Sequence, residues 1–95
     1  MGIIGKVRIS HIMCHLETQA MYAQSQIEQG VDFAEVAKLY SMDSQSKDKG
    51  GDLGYIDRIG GEKPIENAAF ALEVGEITPR PIMSMFGWHV IKRTA

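Results

Sequence analysis

The chain has one cysteine, three prolines and one tryptophan in 95 residues, and aromatic residues make up only 7% of it. A single cysteine excludes an intrachain disulfide, which fits a reducing compartment without establishing one, since exported domains also manage without cysteine pairs. Neither sign of charge is in excess: 10 Lys and Arg stand against 12 Asp and Glu, a net charge of -2. Phosphate-backbone binding needs a basic face, so nucleic acid is not an expected partner. Long apolar runs are missing too. No stretch approaches the roughly 20 residues of a membrane-spanning helix. Met1-Gly2-Ile3-Ile4-Gly5 lacks the charged start and long apolar run of a signal peptide. Lys6 stands where a myristoylation signal would carry Ser or Thr.

What remains is a chain that is 44% apolar, enough for one compact core and too short for two. Residues 6–93 are read as a single domain, expected to be a monomer, with tails at 1–5 and 94–95. From Lys6 to Met13 the residues alternate, with Val7, Ile9, His11 and Met13 on one side and Arg8, Ser10 and Ile12 on the other, the pattern of a strand. Leu16, Ala20, Ala23 and Ile27 recur at helical spacing through Gln29, and Gly30 is placed as a left-handed cap. Asp32 and Glu35 have capping-box spacing at the start of a second helix whose buried stripe is Phe33, Val36, Ala37 and Tyr40. Residues 41–52 are polar and aperiodic and read as a long surface loop; such loops are often functional. A strand at Leu53–Ile56 follows, then a glycine-broken turn and a helix from Pro64 to about Leu72. Ile82–Ser84 and Trp88–Lys92 flank Gly87 as a hairpin. The order β, α, α, β, α, β, β is an α+β pattern, a small antiparallel sheet flanked by helices.

Three short motifs stand out: Ser10-His11-Ile12, Gly50-Gly51-Asp52-Leu53-Gly54 and Phe86-Gly87-Trp88-His89-Val90-Ile91. With Lys63-Pro64-Ile65-Glu66-Asn67-Ala68-Ala69-Phe70-Ala71-Leu72 and Val74-Gly75-Glu76 between the last two, their order and spacing resemble the parvulin family of peptidyl-prolyl cis/trans isomerases over about Lys6 to Arg93. The resemblance implies a parvulin-like (FKBP-like) fold, a four-stranded antiparallel sheet flanked by helices. It also implies an enzyme that speeds rotation about Xaa-Pro bonds with no cofactor and no covalent intermediate.

It implies site residues as well. His11 and His89 match the two family histidines that bond to one another and to neighbouring hydroxyls beneath the site. Ser84 matches the hydroxyl that bonds one of them, and Asp43 falls where members carry Asp or Cys near the reacting amide. Read alone, either histidine is accounted for as a strand residue with its ring nitrogens satisfied, and Asp43 as a loop aspartate capping backbone amides. His11, Cys14 and His15 lie close enough in sequence to raise metal binding, but adjacent strand residues point to opposite faces and no second ligand cluster exists, so no metal is expected. The glycines before Leu53 lack a phosphate loop's Gly-Lys-Ser/Thr ending and precede a strand, which makes them turn formers.

The expected substrate-binding set is Leu53, Gly61, Ile65, Met85 and Phe86. Leu53 keeps the family residue of the proline pocket, whereas Gly61 and Ile65 stand where Met and Phe are expected. A weaker grip on proline, and reduced activity, follow from the lost walls; Met83, Met85 and Phe86 are candidates to refill them. The Cys14-His15-Leu16-Glu17 link has none of the basic residues of phosphorylation-specific parvulins, so no phosphate is expected before proline. The function expected is isomerisation of Xaa-Pro bonds in unphosphorylated, unfolded or partly folded segments. The alternative is a weakly active or non-catalytic peptide-binding module of the same fold in a chaperone. A complete chain would be cytoplasmic; a domain excised from an exported chaperone would have its signal and anchor elsewhere.

Overall fold

The structure, a computed structural model, describes residues 4–95; the readings at Met1 and Gly2 lie outside these. The elements are β1 (Val7–Cys14), α1 (Glu17–Glu28), α2 (Phe33–Tyr40), β2 (Asp52–Ile56), α3 (Lys63–Ala71), β3 (Ile82–Ser84) and β4 (Gly87–Arg93), with one 3-10 turn at Lys47–Lys49. They reproduce the expected order, and the four strands form one antiparallel sheet in the order β2-β1-β4-β3. The first and last long strands therefore pair at its centre. No helix among the described residues is long and apolar enough to cross a membrane.

The alternation in β1 sorts two cores. On one face Ile12 and Cys14 join Val90 of β4 under Ala20 and Ala23 of α1 and Phe33, Val36 and Ala37 of α2. On the other, Val7, Ile9 and Ile91 pack against Ala69 and Leu72 at α3. Because helices cover both faces, β1 is apolar on both, as central strands tend to be. Pro64 sits in the first turn of α3, where its missing N–H costs nothing.

Two local expectations change. Leu16, read as the first apolar position at helical spacing in α1, lies outside the helix and is exposed, because it is the extended N-cap residue and the helix begins at Glu17. Its backbone N–H donates to Gln19 Oε1 at 3.1 Å. The Asp32 side chain makes no cap bond. Its carboxylate is exposed and free to stay hydrated, and α2 is held instead by the backbone bond from Val36 to Asp32 and by burial of Phe33, Val36 and Ala37. Gly30 does end α1 with positive φ.

The polar stretch at 41–51 is packed against the sheet and does not wave free. Met42 N donates to Met13 O at 2.6 Å, Ser41 Oγ accepts from Met13 N at 3.2 Å, and His11 N donates to Gly51 O at 2.8 Å. The loop thus runs along the β1 edge where β2 diverges at the irregular register between Ile9 and Ser10. Gly51 has φ +88°, and a Cβ there would overlap the His11 carbonyl. Gly51→Ala should therefore destabilise the fold by about 2 kcal/mol or more, combining left-handed strain of about 1 to 2 kcal/mol with overlap. Gly60→Ala, also at positive φ but with open space around it, should cost only the strain. Chemical denaturation of both variants checks this, and equal losses would refute the close-approach account.

Candidate functional site

Residues opposite one another in an antiparallel pair share a face, and diagonal neighbours lie within reach of long side chains. Met13 pairs with His89 and His11 with Ile91, which makes the two histidines diagonal neighbours on the α3 side of the sheet. Ile82 pairs with His89 and Ser84 with Gly87, so Ser84 is diagonal to His89 on the same face. While α3 packs on the end carrying Val7, Ile9 and Ile91, the other end opens as a cleft of about 410 Å³ lined by His11, Met13, Asp43, Gln45, Phe86 and His89.

Four of the expected residues form one continuous chain. Asp43 Oδ2 lies 2.7 Å from His11 Nε2, His11 Nδ1 lies 3.0 Å from His89 Nδ1, and His89 Nε2 lies 2.6 Å from Ser84 Oγ. Proton counting orders it. An ionised Asp43 only accepts, so His11 carries its proton on Nε2 and, when neutral, accepts on Nδ1. His89 then donates from Nδ1 and accepts on Nε2 from the Ser84 hydroxyl, which in turn accepts from Phe86 N at 3.0 Å. Every ring nitrogen has a partner with both imidazoles neutral.

Burial and charge agree with that order. Burial, reinforced by the neighbouring His11, depresses His89 from 6.5 to about 4. Burial by itself would raise the Asp43 carboxyl. Hydrogen bonds from the Ser46 hydroxyl at 2.6 Å, from His11, and from the Gln45 amide at 3.2 Å outweigh it and hold Asp43 below its ordinary value. An ionised Asp43 and a neutral His89 are thus the state near neutral pH.

The expected substrate residues divide. Leu53, Gly61 and Ile65 come together with Ile9, Tyr55 and Ile59 around a second concavity of about 370 Å³, while Phe86 walls the histidine cleft. Met85 is 91% exposed and Met83 61% exposed, and neither lines the concavities, so the methionines do not refill the space left by Gly61 and Ile65. They lie on the short β3–β4 hairpin, whose Met83 pairs with Trp88, with their side chains in solvent. Gly61 is held by Glu66: its N–H donates to the buried Glu66 Oε2 at 2.8 Å, and a Cβ would lie 2.7 Å from that oxygen. Cys14 is on the opposite face from His11, buried, with its thiol pushed up by burial and directed at Tyr40 O at 3.6 Å.

The model of the PPIC-type PPIase domain, a rotamase, matches residues 11–95. The chain belongs to the parvulin family of peptidyl-prolyl isomerases. It is 42% identical over 89 residues to foldase protein PrsA 1 of Bacillus cereus, covering 94% of this chain and 31% of that protein. The crystal structure of the Bacillus cereus peptidylprolyl isomerase PrsA superposes with a TM-score of 0.91 at 41% identity, covering 96% of this chain and 35% of that one. The parvulin of Nitrosopumilus maritimus superposes with a TM-score of 0.84 at 40% identity, over 99% of this chain and 100% of that one. The parvulin domain thus spans about a third of the curated PrsA relatives it matches.

Ser41, Gln45 and Ser46, which hydrogen-bond to Asp43, are the residues around this cleft that motif reading passed over. Ser46 follows Asp43 by three residues, a spacing at which a short side chain can close a local turn, but only the folded loop reveals that its hydroxyl serves the carboxylate.

A pH consequence follows from His89. Its folded pKa lies below the unfolded value, so as pH falls from 6.5 toward about 4 the unfolded chain takes up a proton that the folded chain refuses. Stability from this group is full above that window and lost through it; Asp43 and Asp52, lowered from 3.8, lose their contribution only at more acid pH. Denaturation midpoints at pH 7 and pH 5 should show a drop in the wild type that is smaller in His89→Gln. An equal drop in both would show that His89 does not titrate this way.

Proposed function

We propose that the domain catalyses cis/trans isomerisation of Xaa-Pro bonds in unphosphorylated, extended segments of unfolded or partly folded proteins, acting as a monomer without metal or cofactor. The observation that carries this is the unbroken Asp43–His11–His89–Ser84 chain at the base of a cleft walled by Phe86. Rotation about the amide C–N bond has a barrier of roughly 18 to 20 kcal/mol because that bond is partly double, and each ~1.4 kcal/mol removed speeds it tenfold.

No bond to the protein is required. An ionised Asp43 beside the substrate carbonyl disfavours the resonance form with negative oxygen and positive nitrogen, which weakens the double-bond character. The two imidazoles hold that carboxylate and the Ser84 hydroxyl in place, and a neutral His89 adds no positive charge that would stabilise the planar amide's oxygen. Phe86, 67% exposed before any peptide binds, offers an aromatic surface to the proline ring. Leu53, Gly61 and Ile65 would contact the neighbouring residues of the segment.

Phosphate recognition finds little support. The cleft lining holds no Lys or Arg, and Arg8 is committed to Asp52 through contacts of 3.1 and 2.7 Å. The β1–α1 link is only His15 and Leu16.

Exchange of short Xaa-Pro peptides measured by NMR tests this reading, with catalysis expected and no advantage from a phosphate before proline. Binding without accelerated exchange would favour the peptide-holding module instead. On the same assay Asp43→Ala should slow exchange with a smaller loss of stability, because its loop carboxylate is partly exposed. His89→Ala should reduce both, since its loss leaves His11 and Ser84 short of a partner at a cost of about 1 to 3 kcal/mol. Unchanged exchange in Asp43→Ala would remove that residue from the site.

A further inference from the structure

Glu62 belongs to no motif in the sequence, yet it ties the rim of one concavity to the turn that walls the other. It lines the one formed by Leu53, Gly61 and Ile65, and its Oε1 accepts a hydrogen bond from Met85 N at 3.2 Å, across 23 residues of chain. Among the described residues this is the one hydrogen bond joining the loop before α3 to the Ser84–Gly87 turn. Its Oε2 is buried and has no hydrogen-bond partner among the described residues. A carboxylate oxygen withdrawn from water without a partner is costly. Burial of that kind is tolerated when the group does something its exposed rotamers could not.

The loop is built to present this side chain. Buried Glu66 holds the Gly61 amide at 2.8 Å with Oε2, and Lys63 Nζ bridges Glu66 Oε1 at 3.3 Å and the Arg58 carbonyl at 3.1 Å. Glu62 follows Gly61 directly and is the N-cap residue of α3, but its side chain makes no cap bond. Helix capping therefore does not account for where the carboxylate points. At the other end, the turn that receives it carries Ser84, the donor to His89, and Phe86, the wall of the cleft, joined by the bond from Phe86 N to Ser84 Oγ.

We propose that Glu62 is a positioning residue of the isomerase site, its carboxylate anchoring the β3–β4 turn so that Phe86 and Ser84 are held against the histidine pair. Glu62 acts through the turn and does not touch the reacting amide. Its charge also faces His89, where Glu62 and Asp43 favour the protonated form and His11 opposes it, but the anchoring depends on reach and on an acceptor oxygen.

Those two properties separate in a pair of variants. Glu62→Gln keeps the length and an acceptor while losing the charge; Glu62→Asp keeps the charge and remains a good helix N-cap but is one methylene too short to reach Met85. On proline-peptide exchange followed by NMR, Glu62→Asp should slow exchange about threefold or more, the effect of losing one hydrogen bond, and move the Met85 and Phe86 amide resonances. Glu62→Gln should stay within about twofold of wild type with those resonances near their original positions. Equal loss in both variants, wild-type exchange in Glu62→Asp, or the reverse order overturns the proposal. It rests on the isomerase reading, and wild type in the same series judges that reading separately. If wild type binds the peptide but exchanges it no faster, isomerisation fails, while the affinities and the Met85 and Phe86 shifts of the two variants still decide whether Glu62 anchors the turn.

Discussion

Antiparallel pairing of β1 with β4 joins residues 7–14 to residues 87–93 and sets every other distance that matters in the molecule. Its register makes His11 and His89 diagonal neighbours, and a slip of one residue would send one imidazole to the α1–α2 face and leave the other alone. The same pairing places Ile12 and Val90 in one core and Ile9 and Ile91 in the other. Cores and site are consequently specified together. A change that weakened the site register would also expose buried aliphatic surface, so packing holds the two histidines in place more firmly than their mutual hydrogen bond could.

Around that register the polar groups form a closed account. Buried polar groups are costly unless paired, and the line from Phe86 N through Ser84, His89 and His11 to Asp43 leaves no nitrogen or oxygen along it without a partner when the imidazoles are neutral. The outer ends are anchored by different means. Asp43 is held by Ser46 and the Gln45 amide within a loop stitched to β1, while the Ser84 end depends on a short hairpin turn whose Met85 and Phe86 side chains are largely in solvent. The turn is the less constrained end, and a contact made there by a carboxylate from before α3 carries more weight than its single hydrogen bond implies.

Gly61 and Ile65, read from the sequence as departures from the family pattern, are both tied to the packing around α3. Gly61 lies where Glu66 needs its amide, with no room for a side chain unless that buried carboxylate moves. Ile65 packs partly into the core beside Val7 and Ile9. The open concavity is thus tied to how α3 is seated on the sheet, and larger residues at these positions would have to be matched by shifts at Glu66 and in the core.

Element types and order were legible in the amino-acid sequence because they rest on local signals: alternation in Val7–Met13, helical spacing of Ala20, Ala23 and Ile27, Pro64 at a helix start, Gly87 in a hairpin. The motifs around His11, Leu53 and His89 identified the family for the same reason, since order and spacing survive without coordinates. Faces and partners were another matter. That Leu16 is exposed, that Asp32 does not cap, that Ser46 serves Asp43, that Met83 and Met85 leave the pocket unfilled, and that Glu62 reaches Met85 all depend on which segments lie together in space. Side-chain hydrogen bonds between residues 3 to 78 positions apart are set by register and packing, and no local pattern in the chain encodes a distance between segments that meet only when the sheet closes.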